Sequence, residues 1–233
     1  MRVMAVGAHP DDIEFLCAGT LARYTGRGDF AVNVVFTNGD MGHVEIGPEE
    51  LARIRCEEAR QAAATVGAEF KMLGEPDEWL FHDKRTRTMM IDTIREYRPD
   101  VIITHSPEDY HPDHRCCSDI VFAASFLCTV PHIETEHEAT HGVAALLYMD
   151  TIGGTNFLPQ EYVDISATLE RKVEALLKHQ SQVKWMKDHD NIEVADFVRK
   201  LAATRGLECS VPAAEGFRVA PLWPRLKPER LLP

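Results

Sequence analysis

The feature that most constrains this chain is the alternation of short apolar runs with longer segments of helical spacing. Met1 to Gly7 is an apolar run bounded by Gly and Pro, and Ile13 to Arg27 then carries mixed apolar spacing. Phe30 to Thr37 (FAVNVVFT) is rich in Val and Phe and ends at the turn Asn38-Gly39-Asp40, while Pro48 to Val66 opens on proline and closes before Gly67, as helices do. A strand around Glu69 to Leu73, a helix from Arg85 to Tyr97, a strand from Val101 to Thr104, a helix from Asp113 to Leu127 and a strand from Ala144 to Met149 continue the series. Strands that are apolar throughout are buried on both faces, and strand-helix-strand order joins them in parallel. The expected fold class is therefore α/β: one Rossmann-like three-layer domain over residues 1–233 with a mostly parallel sheet. Two more helices are expected, Ser166 to Gln182 with Ser166 as N-cap and Ile192 to Gly206. Five prolines from Val211 onward (Pro212, Pro221, Pro224, Pro228, Pro233) predict a tail lying extended over the surface.

The 233 residues suffice for one domain of generous size. Lys and Arg total 25 against 37 Asp and Glu, a net charge of −12 that argues against a nucleic-acid or anionic-membrane partner. The opening MRVMAVGAHPDD leaves no room for a signal peptide or membrane span, so a cytoplasmic protein is expected, with homo-oligomerisation left open. Six cysteines without a C-x-x-C pair suggest neither a disulfide framework nor a zinc knuckle.

In open parallel sheets ligands sit beyond the carboxyl ends of the strands. The first strand is followed there by Ala8-His9-Pro10-Asp11-Asp12, the second by Thr37-Asn38-Gly39-Asp40-Met41-Gly42-His43, and the strand at 101–104 by Asp109-Tyr110-His111-Pro112-Asp113-His114. His-Pro-Asp occurs twice. One such tripeptide is an ordinary turn, but two after buried strands bring imidazoles and carboxylates to one sheet edge. A catalytic zinc takes three protein ligands from His and carboxylate and keeps a position for water; His9, Asp12 and His114 meet that inventory, and Asp11 is left free to act on the water. The two imidazoles must then lie within about 6 Å of each other. Tyr110, directly before His111, is a candidate to contact substrate or to pack. His82, His105, His132, His137, His141 and His189 lack such context and are expected at the surface or in caps.

The paired AHPDD and HPDH motifs resemble the LmbE-like, or PIG-L, family of metal-dependent N-deacetylases. The likeness extends through Thr37 to Gly42, Arg55-x-x-Glu58, His179-x-Ser181-Gln182 and Ala214-Glu215-Gly216-Phe217. It implies removal of an acetyl group from an N-acetylglucosamine-type conjugate, with His9, Asp12 and His114 as ligands to Zn2+ (Fe2+ or another divalent ion being the alternative) and Asp11 as general base. It further implies that protonated His111, oriented by Asp113, stabilises the oxyanion, and that Arg55 contacts substrate hydroxyls. An Arg three residues before Glu58 is also an ordinary ion pair on a helix surface.

The same family resemblance includes a hydratase of an unsaturated keto-dicarboxylic acid and S-conjugate amidases, which stay as alternatives. A dicarboxylate would need extra Arg or Lys at the pocket. A non-catalytic binding protein would lose the base, and Asp11 is present. Trp79, in the stretch Gly74 to Leu80, either stacks on a sugar or is buried in a loop hinge. No G-x-G-x-x-G, serine elbow or H-E-x-x-H is present.

Overall fold

The computed structural model describes residues 1–220 and Trp223. Its parallel strands are β1 (Arg2–Gly7), β2 (Phe30–Thr37), β3 (Glu69–Glu75), β4 (Val101–Thr104) and β5 (Ala145–Met149). β6 (Glu161–Asp164) and β7 (Ala214–Val219) complete a sheet of order β3-β2-β1-β4-β5-β7-β6, in which β7 runs antiparallel to both neighbours. The α/β, mostly parallel architecture is as expected.

Strand side chains alternate between faces, so each apolar strand feeds two cores. Val3 and Ala5 of β1 join the core under α1 (Asp12–Leu16), α2 (Ala18–Gly26), α3 (Pro48–Val66), α6 (Leu169–Leu176) and α8 (Val194–Cys209). Met4 and Val6 join the opposite core under α4 (Lys84–Tyr97) and α5 (Pro112–Leu127). α3 matches its sequence signals: Pro48 stands at the first turn and Gly67 closes the helix at φ 78°.

Two expected helices break, each for a long-range reason. The helix from Ile13 to Arg27 divides at Cys17, whose φ of −144° is not helical. The break frees the first turn of α2, where the main-chain N–H groups of Gly19 and Thr20 donate to Glu215 of β7 at 3.0 and 2.7 Å. The helix from Ser166 to Gln182 begins later and divides before α7 (Gln180–Asp190). Ser166 is not its N-cap; its hydroxyl donates to Asp164 instead, and Thr168 precedes α6. At the second break the N–H and hydroxyl of Ser181 donate to Glu58 on α3 at 2.8 and 2.6 Å.

The chain from Val211 is also not a surface tail throughout. Ala214–Val219 is inserted between β5 and β6 with Phe217 in the core. Pro221, Pro224, Pro228 and Pro233 lie outside the described residues. Neither β6 nor β7 was foreseen, because neither shows an apolar run.

Strand order reverses at β1, with β2 and β3 on one side and β4 and β5 on the other. This makes the crevice beyond the carboxyl ends of β1 and β4 the topological switch point.

Candidate metal centre and active site

His9 and Asp12 flank the turn that ends β1 and begins α1, and His114 lies in the first turn of α5, after β4. His9 Nδ1 is 3.2 Å from His114 Nε2 and 3.4 Å from Asp12 Oδ2, and His114 Nε2 is 3.2 Å from Asp12 Oδ1. Donors at about 2.0 to 2.1 Å from one tetrahedral ion stand about 3.3 to 3.4 Å from each other; the two nitrogens meet that spacing, each beside a different oxygen of Asp12. His9, His111 and His114, and Asp12, His105 and His114, are trios whose donor atoms lie within 4.8 Å of one another and could hold a metal ion. His9, Asp12 and His114 are all buried.

Electrostatics favour positive charge there. Burial opposes charging His9, yet the carboxylates of Asp12, Asp113 and Asp77 lift it to about 10. Burial likewise opposes charging His114, while Asp12 and Asp109 lift it to about 9. Burial works against ionising Asp12, but the imidazoles of His114, His105 and His9 hold it well below the usual carboxylate range.

Each of these imidazoles has a carboxylate behind it. His114 Nδ1 faces Asp109 Oδ1 at 3.1 Å, and His9 Nε2 faces Asp77 Oδ1 at 3.2 Å and Asp113 Oδ2 at 3.4 Å. Such pairs fix the ring orientation of a metal-binding His and raise its basicity. Asp77 and Asp109 are site residues that sequence reasoning missed. Asp109 stood within the second motif and could have been found there; Asp77 follows β3, at the same sheet edge. His105 is a correction: rather than at the surface, it is fully buried, stacked 4.0 Å from His114 and 3.0 Å from Asp12 Oδ2. It directly follows β4, the one signal that could have found it.

Asp113 also differs from expectation. Its carboxylate points at His9, and it is its main-chain N–H that donates to Nδ1 of His111, at 3.2 Å. His111 is thus the N-cap of α5. A ring that accepts at Nδ1 presents its N–H at Nε2, so in this geometry a proton can face the site without the ring having to be the imidazolium expected there. Burial and the charges of His9 and His114 push the His111 pKa down. The ring stacks 4.7 Å from His114.

Asp11 holds φ at 116°, a left-handed backbone that non-glycine residues seldom keep outside functional sites. Its Oδ2 is 3.4 Å from Arg55 Nη2. Burial pushes its carboxyl up to about 6, with Arg55 and His179 pulling the other way. Arg55 is buried and turned inward, donating to the carbonyls of Pro10 at 2.6 Å and Gly39 at 3.1 Å. It forms no surface pair with Glu58, which is engaged by Ser181. Tyr110 is 54% exposed with its ring 6.0 Å from that of His114. Trp79 is not a buried hinge: it is 60% exposed, with Phe81 beside it at a ring separation of 6.4 Å.

Fold and donor set together define an α/β protein whose switch point gathers His and Asp side chains that could hold a metal ion, bordered by the half-buried Asp11 and by His111. Residues 4–125, more than half of the chain, match the family described as PIG-L: GlcNAc-PI de-N-acetylase, and the chain belongs to that family. It is 27% identical over 231 residues to a diacetylchitobiose deacetylase of Thermococcus kodakarensis, covering 94% of this chain and 83% of the relative. It is 29% identical over 190 residues to a probable N-acetyl-α-D-glucosaminyl L-malate deacetylase of Bacillus anthracis, covering 78% and 81%. The 4-carboxy-2-hydroxymuconate hydratase of Pseudomonas putida shares the fold, with a TM-score of 0.83, 20% identity and 99% of both chains covered. Among the described residues no helix is long and apolar enough to cross a membrane.

Proposed function

We propose that this protein is a zinc-dependent N-deacetylase of amino-sugar conjugates, with His9, Asp12 and His114 as the metal ligands. The observation that carries the reading is the cluster of donor atoms from His9, Asp12 and His114 with a half-buried acid, Asp11, and an N–H donor, His111, at its border. Fe2+ is the second ion such a donor set accepts. A divalent ion held there supplies an acidified water and a Lewis acid for the acyl oxygen.

The residues of the chain do the rest. Asp11 takes the proton of the attacking water, and Arg55 holds its carboxylate in place. The Nε2–H of His111 donates to the oxygen that becomes negative as the amide carbon turns tetrahedral; donors of this kind contribute about 3 to 4 kcal/mol in other hydrolases. Asp11 then returns its proton to the departing amine. Asp113 and Asp77 keep the His9 ring turned toward the ion, and Asp109 does the same for His114.

The amide reading is favoured over hydration of a keto-dicarboxylate by the charges at the mouth. Arg55 and Arg115, which border these loops, already donate to the backbone carbonyls of Pro10, Gly39, Asp109 and Tyr110. The charged group facing His111 is a carboxylate, Glu78, at 3.6 Å. An amine-release assay on N-acetylated sugars and sugar conjugates tests the proposal, run beside the keto-dicarboxylates. The zinc-loaded protein is expected to release amine, and Asp11→Asn to lose at least about 100-fold of the rate, the contribution of a general base. Equal rates for the two proteins would remove Asp11 from its role.

A further inference from the structure

Ten large apolar side chains are exposed among the described residues, and five of them crowd the loops around the cation site. Met41 and Val44 follow β2, Trp79 and Phe81 follow β3, and Tyr110 follows β4. Exposed apolar surface gathered around a polar site marks a place where a ligand lies.

The loop after β3 is held in register with the site. Asp77 is buried against His9, its main-chain N donates to Asp40 at 3.1 Å, and Leu80 is anchored in the core. Between these anchors the loop turns outward. Glu78 holds φ at 65°, and its carboxylate, half-exposed, sits 3.6 Å from Nε2 of His111. Consecutive Cα atoms are about 3.8 Å apart, so Trp79 begins one residue from a group that touches the catalytic imidazole.

We propose that residues 78–81 form the subsite for a second, uncharged sugar ring joined to the N-acetylated one, with Trp79 and Phe81 as the platform and Glu78 as acceptor for its hydroxyls. The inference rests on the deacetylase reading and narrows its substrate to neutral oligosaccharides. A pyranose offers an apolar face of C–H groups to an aromatic ring and hydroxyl donors at its edge, and this loop presents both complements side by side. An anionic aglycone such as malate or a phosphoinositol would meet the Glu78 carboxylate, with Arg55 and Arg115 already engaged elsewhere.

The test is isothermal titration of the zinc-loaded protein with N-acetylglucosamine, N,N′-diacetylchitobiose and an N-acetylglucosaminyl malate. The disaccharide is expected to bind about five- to tenfold more tightly than the monosaccharide, the amount one aromatic stacking contact supplies. In Trp79→Ala, and separately in Phe81→Ala, that ratio should fall toward one. Glu78→Gln should tighten the malate conjugate relative to the disaccharide. Equal binding of the two neutral sugars by the wild type, an unchanged ratio in both aromatic variants, or malate bound best of the three would each overturn the subsite. Amine release fails or succeeds separately: a protein that binds the disaccharide through Trp79 without releasing amine refutes the deacetylase and keeps the subsite, whereas release from both sugars with no difference in affinity does the reverse.

Discussion

His9, Asp12 and His114 make a triangle of donors, but a triangle holds its shape only if each ring is prevented from turning. The carboxylates of Asp109 and Asp77 supply that restraint from behind, at 3.1 and 3.2 Å. Removing the charge from Asp109 leaves its shape and takes away both the orientation and the added basicity of His114. Asp109→Asn is therefore expected to weaken zinc binding by about 10- to 100-fold, the usual effect of losing such a partner, measured by competition with a chromophoric chelator. Unchanged affinity would mean that packing alone, including the stack on His105, positions the ring. His111 works on the same scale: because its Nδ1 is committed to the N–H of Asp113, the other nitrogen presents a proton to the site without the ring having to be charged.

At the level of elements, the site is built from four connections that each follow a parallel strand, tied to one another by side chains crossing between them. Arg55, projecting from α3, clasps the β1 connection through Pro10 and Asp11 and the β2 connection through Gly39. Gly39 has a φ of 67°, and a Cβ placed on it would stand 2.6 Å from the Arg55 guanidinium. Gly39→Ala therefore carries backbone strain and a clash together. It is expected to cost about 1 to 3 kcal/mol, a fall in Tm of roughly 3 to 10 °C for a chain of this size, and to lower amine release with it, because Asp11 loses its clamp. Calorimetry beside the amine assay checks both; a variant as stable and as active as the wild type would show that the clasp is dispensable.

For the molecule as a whole, the switch point concentrates buried carboxylates and imidazoles, a set to which a cation would bind. Binding to the folded state alone stabilises by mass action, about 2.7 kcal/mol at 100 times the dissociation constant. Stripping the metal is expected to lower Tm by roughly 5 to 10 °C, and zinc to restore it. The sign of the pH dependence follows from the direction of the shifts: without metal, the carboxylates around His9 and His114 hold both above the ordinary imidazole range and so favour protons on the pair at neutral pH. An ion must displace those protons, so binding releases them and tightens as pH rises. Titration calorimetry in buffers of different ionisation enthalpy reads the release directly. No proton release between pH 6 and 8 would place the ion elsewhere.

The parallel half of the sheet and the meeting of His9, Asp12 and His114 at its edge were legible in the amino-acid order because each depends on local facts. Period-two burial on both faces writes itself as an apolar run, and a short rigid turn such as His9-Pro10-Asp11-Asp12 carries its own donors. The partners behind those donors were not legible: Asp77, His105 and the direction of the Asp113 carboxylate depend on which loops meet at the reversal of strand order. The same holds for the helix breaks at Cys17 and before α7, and for β7. Glu215 lies 196 residues from Gly19 in the chain, and Glu58 lies 123 from Ser181. Local sequence specifies which way a segment prefers to bend; which buried charge waits at the far side is decided only when the sheet has closed around it.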